Sequence, residues 1–157
     1  MEPQKTETEN ELKPKVRALY EAVLELLNEN ADISTMKVSD ITSRAGIGKG
    51  TAYDYFKSKE EIIACAVMYD ARRQGMETRE KLRELPSFEA RIRYCFSWVE
   101  KCVRERTAFG KLLFLTSHPG GVPDEVLVKM KQIHEENKSG CEMEPIEILR
   151  GLCQEGK

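Results

Sequence analysis

Between Lys37 and Lys59, five cationic side chains (Lys37, Arg44, Lys49, Lys57 and Lys59) share 23 residues with two tyrosines and three glycines. Cations and phenolic hydroxyls donate to phosphate oxygens. The small residues Gly48, Gly50 and Thr51, set around Lys49, let a backbone approach a phosphate or the edge of a base. Tyr53 and Tyr55 follow as candidate hydroxyl donors. Lys59 stands at the opening of a further helix, where unpaired backbone N–H groups already favour an anion. Against Asp40 and Asp54 the local charge over residues 36–59 is +3, in a chain of 157 residues whose net charge is −2. Residues 1–35 carry −4 and residues 60–157 carry −1, so the net-positive stretch is short and central. Bulk charge alone does not announce a polyanionic ligand.

Each of these features also has an ordinary reading. Tyr53 and Tyr55 can be core residues of a helical bundle, although two residues apart on one helix they cannot both be buried on one face. Lys57 and Lys59 can form a solvated surface. The weight lies in their coincidence.

Other chemistries find little support. No nucleophile–base pair, paired carboxylate or phosphate loop of recognisable spacing is present, so an enzyme is the least expected class. The cysteines (Cys65, Cys95, Cys102, Cys141 and Cys153) are odd in number and lack a CxxC pair, which reads as reduced cytosolic thiols. Cys95 and Cys102, seven apart on one helical face, are expected to pack as small hydrophobes. His118 and His134 are isolated and read as loop and core residues, so neither a metal nor a cofactor is expected. No run of about 18 apolar residues could span a membrane, and the polar opening MEPQKTETENELK does not resemble a signal peptide. A cytoplasmic protein is the expectation.

The elements that must position these side chains read as all-helical, with no strand alternation or hairpin signal. Residues 1–12 are expected to be a flexible tail. A first helix is predicted from Lys13 to Asn30, with Pro14 in its opening turn and Val16, Leu19, Tyr20, Val23, Leu26 and Leu27 at helical spacing. A short helix over Val38 to Ala45 ends at Gly46, which suits the left-handed position past a helix end. A second short helix runs from Lys49 to Phe56. Ser58 and Glu61 match a capping box that opens a long helix reaching Arg83. After Leu85-Pro86-Ser87, a helix from Phe88 carries Ile92, Cys95, Phe96, Val99, Cys102 and Val103 at i, i+3/i+4 spacing. Tyr94 and Trp98 widen that stripe, so this helix is expected to be central. Phe109 to Thr116 is an apolar run expected to be buried, and His118-Pro119-Gly120-Gly121 a loop. Pro123 and Asp124-Glu125 open a further helix with Val126, Leu127, Met130, Ile133 and His134 inward. Pro145 opens a last segment with Ile146, Leu149 and Leu152.

Helix, glycine-centred turn and short helix within about 20 residues form a helix-turn-helix pattern. The stretch VSDITSRAGIGKGTAYDYFKSKEEI, Val38 to Ile62, resembles the TetR family of bacterial transcriptional regulators. The resemblance covers about residues 14–74. It implies that Lys49, Gly50, Thr51, Tyr53 and Tyr55 face the DNA major groove or its flanking phosphates. It further implies that Lys59 clamps a phosphate and that Ser39 and Arg44 touch the backbone. Ile41, Ala45, Ile47, Ala52 and Phe56 would be the small core that fixes the two helices.

The sequence departs from the family pattern at three places. Gly48 stands for the usual Ser, Ala52 for the usual Leu, and Asp54 occupies a position commonly basic or aromatic. Asp54 either accepts from a cytosine N4 or points at solvent, and solvent is the preferred reading.

The resemblance thus implies a DNA-binding domain over residues 13–75 and a helical effector-binding and dimerisation domain over 76–157. The expected function is a ligand-responsive repressor that binds a pseudo-palindromic operator as a homodimer and answers to a small-molecule effector. Tyr94, Trp98, Cys102, Phe109, Phe114 and Met130 are the candidate pocket residues, although an ordinary core gives the same pattern. Family members continue past a segment like Ile146–Lys157 with two more helices. Truncation, or dimerisation through another surface, therefore stays open, and the alternative reading is a binding-only module without operator affinity of its own.

Overall fold

The computed structural model describes residues 12–104, 110 and 121–136. They form α1 (Pro14–Asn28), α2 (Val38–Ala45), α3 (Lys49–Tyr55), α4 (Lys59–Glu84), α5 (Phe88–Arg104) and α6 (Asp124–Glu136). The tail to residue 11, the run Phe109 to Thr116 apart from Gly110, His118, Cys141, Cys153 and the segment from Pro145 lie outside the described residues.

Helix α1 opens on Pro14, whose missing N–H is one that a first turn leaves unpaired anyway. It buries Val16, Leu19, Tyr20, Val23 and Leu27 along one face. The helix stops two residues short of the predicted end because Asn30 turns to φ 67°, a left-handed conformation that asparagine tolerates. The Asp32 carboxylate then folds the connection by accepting from the Ser34 N–H at 2.8 Å and from its hydroxyl at 2.7 Å. Ile33 and Met36 are tucked beneath this corner, both buried.

Helix α2 starts where the Asp40 carboxylate accepts from the Lys37 N–H at 2.8 Å. Gly46 ends it at φ 65°, ψ 30°. The Ile47 N–H reaches the Thr42 carbonyl at 3.0 Å and the Gly46 N–H the Ser43 carbonyl at 3.3 Å. That pair of bonds is a Schellman closure, which needs a residue free of the left-handed penalty. Helix α4 begins as predicted at Ser58, whose hydroxyl accepts from the Glu61 N–H at 3.2 Å. The returning bond differs from the expected box, because the Glu61 carboxylate accepts from the Lys57 N–H, one residue before the cap.

The core lies among α1, α2, α3 and the first half of α4, where Ile62, Ile63, Ala64, Ala66 and Val67 are buried. The Tyr20 ring sits between Phe56 and Tyr69, with centroids 6.0 and 5.4 Å away. Helix α6 lies on α4 through Val126, with Leu127, Met130 and Ile133 against the same core. At 1.5 Å per residue the 26-residue α4 is about 39 Å long. Beyond Val67 it buries only Asp70, Thr78 and Leu82. The Asp70 carboxylate accepts from Arg73 at 2.9 Å and from Gln74 at 2.6 Å.

The expectation for α5 is overturned. Cys102 is its buried residue, while Phe96 is 73% exposed and Val103 67%. Helical spacing reports that one face of a helix is apolar and says nothing of what covers it. No other described helix packs extensively on α5.

Candidate nucleic-acid interface

The seven residues of α3 divide cleanly. Ala52 is fully buried, and Thr51 and Tyr55 flank it half-buried. Lys49, Gly50, Tyr53 and Asp54 make up the opposite, exposed arc, which Lys57 extends beyond the helix end. Spacing explains the division: Lys49 lies beneath Tyr53 and Gly50 beneath Asp54, each pair four residues apart. Tyr53 is 52% exposed. Tyr55 packs partly on the core, with the Lys13 ammonium 5.3 Å from its ring centroid. The two tyrosines therefore part as their spacing requires, and Tyr53 is the one presented outward.

Neither glycine at the start of α3 is demanded by the folded chain. A Cβ built on Gly48 or Gly50 meets no heavy atom within 4 Å, and neither residue has a positive φ. Gly46 differs, since its backbone is left-handed.

The remaining predicted residues are more engaged. Arg44 grips Glu29 with two parallel bonds of 2.7 Å and reaches Glu25 at 3.3 Å, tying α2 to α1. Bonding to the guanidinium holds the Glu29 carboxyl below its ordinary value, and bonding to Glu29 and Glu25 raises that of Arg44. Lys59 lies 3.7 Å from Glu60, with 23% of its side chain exposed. Ser39 is half-buried in the first turn of α2, its carbonyl accepting from the Thr42 hydroxyl at 3.4 Å. Sequence reasoning missed Glu25 and Glu29. They sit one turn apart on α1, but 19 and 15 residues from Arg44, beyond any local spacing rule.

Residues 19–65 match the family model described as "Bacterial regulatory proteins, tetR family". This segment is similar to tetR-family domains. It spans α1 from Leu19, all of α2 and α3, and the start of α4. An uncharacterized HTH-type transcriptional regulator of Bacillus subtilis is 36% identical over 59 residues, 34% of this chain and 16% of that protein. An HTH-type transcriptional regulator of Staphylococcus aureus is 44% identical over 46 residues, 29% of this chain and 23% of that protein. The match thus spans less than a quarter of either relative.

The predicted pocket residues lie beyond the matched segment. Tyr94 and Trp98 are half-buried and Cys102 buried on α5, whereas Met130 belongs to the packing of α6 on α4. Phe109 and Phe114 lie outside the described residues. Among the described residues no three His, Cys, Asp or Glu side chains form a metal-ligating group, and no helix is long and apolar enough to cross a membrane.

Proposed function

We propose that the chain is a DNA-binding transcriptional regulator: a ligand-responsive repressor that binds a pseudo-palindromic operator as a homodimer. The observation that carries this reading is the exposed arc of α3, where Lys49, Tyr53 and Asp54 are grouped with a Gly50 for which the folded chain itself has no use. A helix with a donor-bearing face and no bulk at its centre fits the major groove. The match of this corner to a regulator family, and the regulator names of both relatives, support it further.

In this reading Ser39, Lys49, Gly50, Thr51, Tyr53, Tyr55 and Lys59 meet the duplex, and Arg44 acts on the placement of α2. Helix α4 is the connector. Its first half lies in the core that fixes α2 and α3, and α6 packs on it. An effector bound among the helices after α4 would shift the population between two settings of that helix. The two recognition helices of a dimer must stand about 34–36 Å apart to read both half-sites. For the second copy, α5 is the fitting surface. Phe96, Val99 and Val103 are exposed along one side.

Sedimentation of the chain with random duplex DNA of about 30 base pairs, at low and moderate salt, tests the reading. A dimer whose affinity falls steeply with salt supports it. A chain that leaves the duplex free at low salt overturns it.

A further inference from the structure

Asp54 adds nothing visible to the fold. It is exposed in the last turn of α3, where the helix dipole disfavours an anion. Among the described residues it makes no ion pair or side-chain hydrogen bond, and its neighbour one turn back is Gly50. Yet it shares the exposed arc with Lys49, Gly50 and Tyr53, the arc that the proposed function turns toward DNA.

We propose that Asp54 is a specificity residue that selects cytosine in each half-site. The inference rests on the DNA-binding reading and follows from the chemistry of base edges. A carboxylate only accepts hydrogen bonds. In the major groove guanine offers two acceptors, thymine an acceptor and a methyl group, and adenine a donor beside an acceptor. Cytosine alone presents the N4 amine without an adjoining acceptor on its own edge, so a carboxylate on this arc is satisfied there and opposed elsewhere. Gly50, one turn below, removes the side chain that would hold Asp54 off the base. The same charge is repelled by phosphates, so Asp54 weakens binding to unmatched sequences while favouring the matched one.

The test is selection from randomised duplexes by the full chain, by Asp54→Asn and by Asp54→Ala, each checked by circular dichroism for unchanged helix content. The original chain selects cytosine at one fixed position per half-site, by about tenfold or more over guanine. Asp54→Asn moves that preference to adenine, whose N6 and N7 pair with an amide. Asp54→Ala flattens it and binds random duplex several-fold more tightly. If both variants keep the original preference at every position, Asp54 reads no base and the proposal fails. If the original chain binds no duplex, the DNA-binding reading fails first, and this inference with it.

Discussion

At Gly50 the backbone is ordinary helix with open space where a Cβ would go. Glycine in a helix is less stable than alanine there, by about 0.5 kcal/mol or somewhat more away from the ends. Gly50→Ala should therefore melt at or slightly above the temperature of the original chain. Its DNA affinity should fall about tenfold, because the added methyl lies between Tyr53 and Asp54 on the exposed arc; thermal melting and fluorescence anisotropy on one sample separate the two effects. Lys49 and Arg44 provide a matching contrast. Lys49 is exposed, whereas the Arg44 guanidinium is held by Glu29. Lys49→Ala should lower the slope of log affinity against log salt by about one. Arg44→Ala should leave that slope unchanged and weaken binding only through a loosened α2; a drop in slope would return Arg44 to the phosphate contacts. The pair also has a pH signature. Its carboxyl is held below the ordinary glutamate value in the folded chain, so its contribution is present above that value and is lost as pH falls through the lower folded one. Arg44→Ala should accordingly flatten the acid limb of a melting-temperature profile.

Helices were legible wherever a backbone signal marked their ends. Gly46 fixes the end of α2, and the Ser58–Glu61 pair fixes the start of α4, through bonds that these residue types make locally. Ser58→Ala should lower stability by about 1 kcal/mol, read by chemical denaturation, since the Glu61 N–H loses its acceptor. Which faces these helices bury was only partly legible. In α1 the predicted apolar positions are nearly all buried, because α2 and α4 lie against them. In α5 an equally regular stripe stays exposed, because coverage depends on partners remote in sequence. The exposed arc of α3 was legible up to the choice between Tyr53 and Tyr55, which Ala52 decides by facing the core. The Arg44–Glu29 pair was not legible, since nothing local relates residues on two separate helices.

For the whole molecule, the exposed side of α5 bears on assembly. Phe96→Glu should weaken self-association by about tenfold or more while leaving helix content unchanged, as measured by sedimentation equilibrium. An unaltered mass would place the contact between copies elsewhere.

The tie from Arg44 to Glu29, together with the Tyr20 ring set between Phe56 and Tyr69, bears on how this protein can be re-engineered. The turn and its two short helices are not a detachable cassette. Grafted alone onto another scaffold, they would arrive with an arginine lacking its carboxylates and a phenylalanine lacking its ring partner. A graft that keeps both ties must carry α1 and reach at least Tyr69, so it should be cut within α4 rather than at the glycine turn.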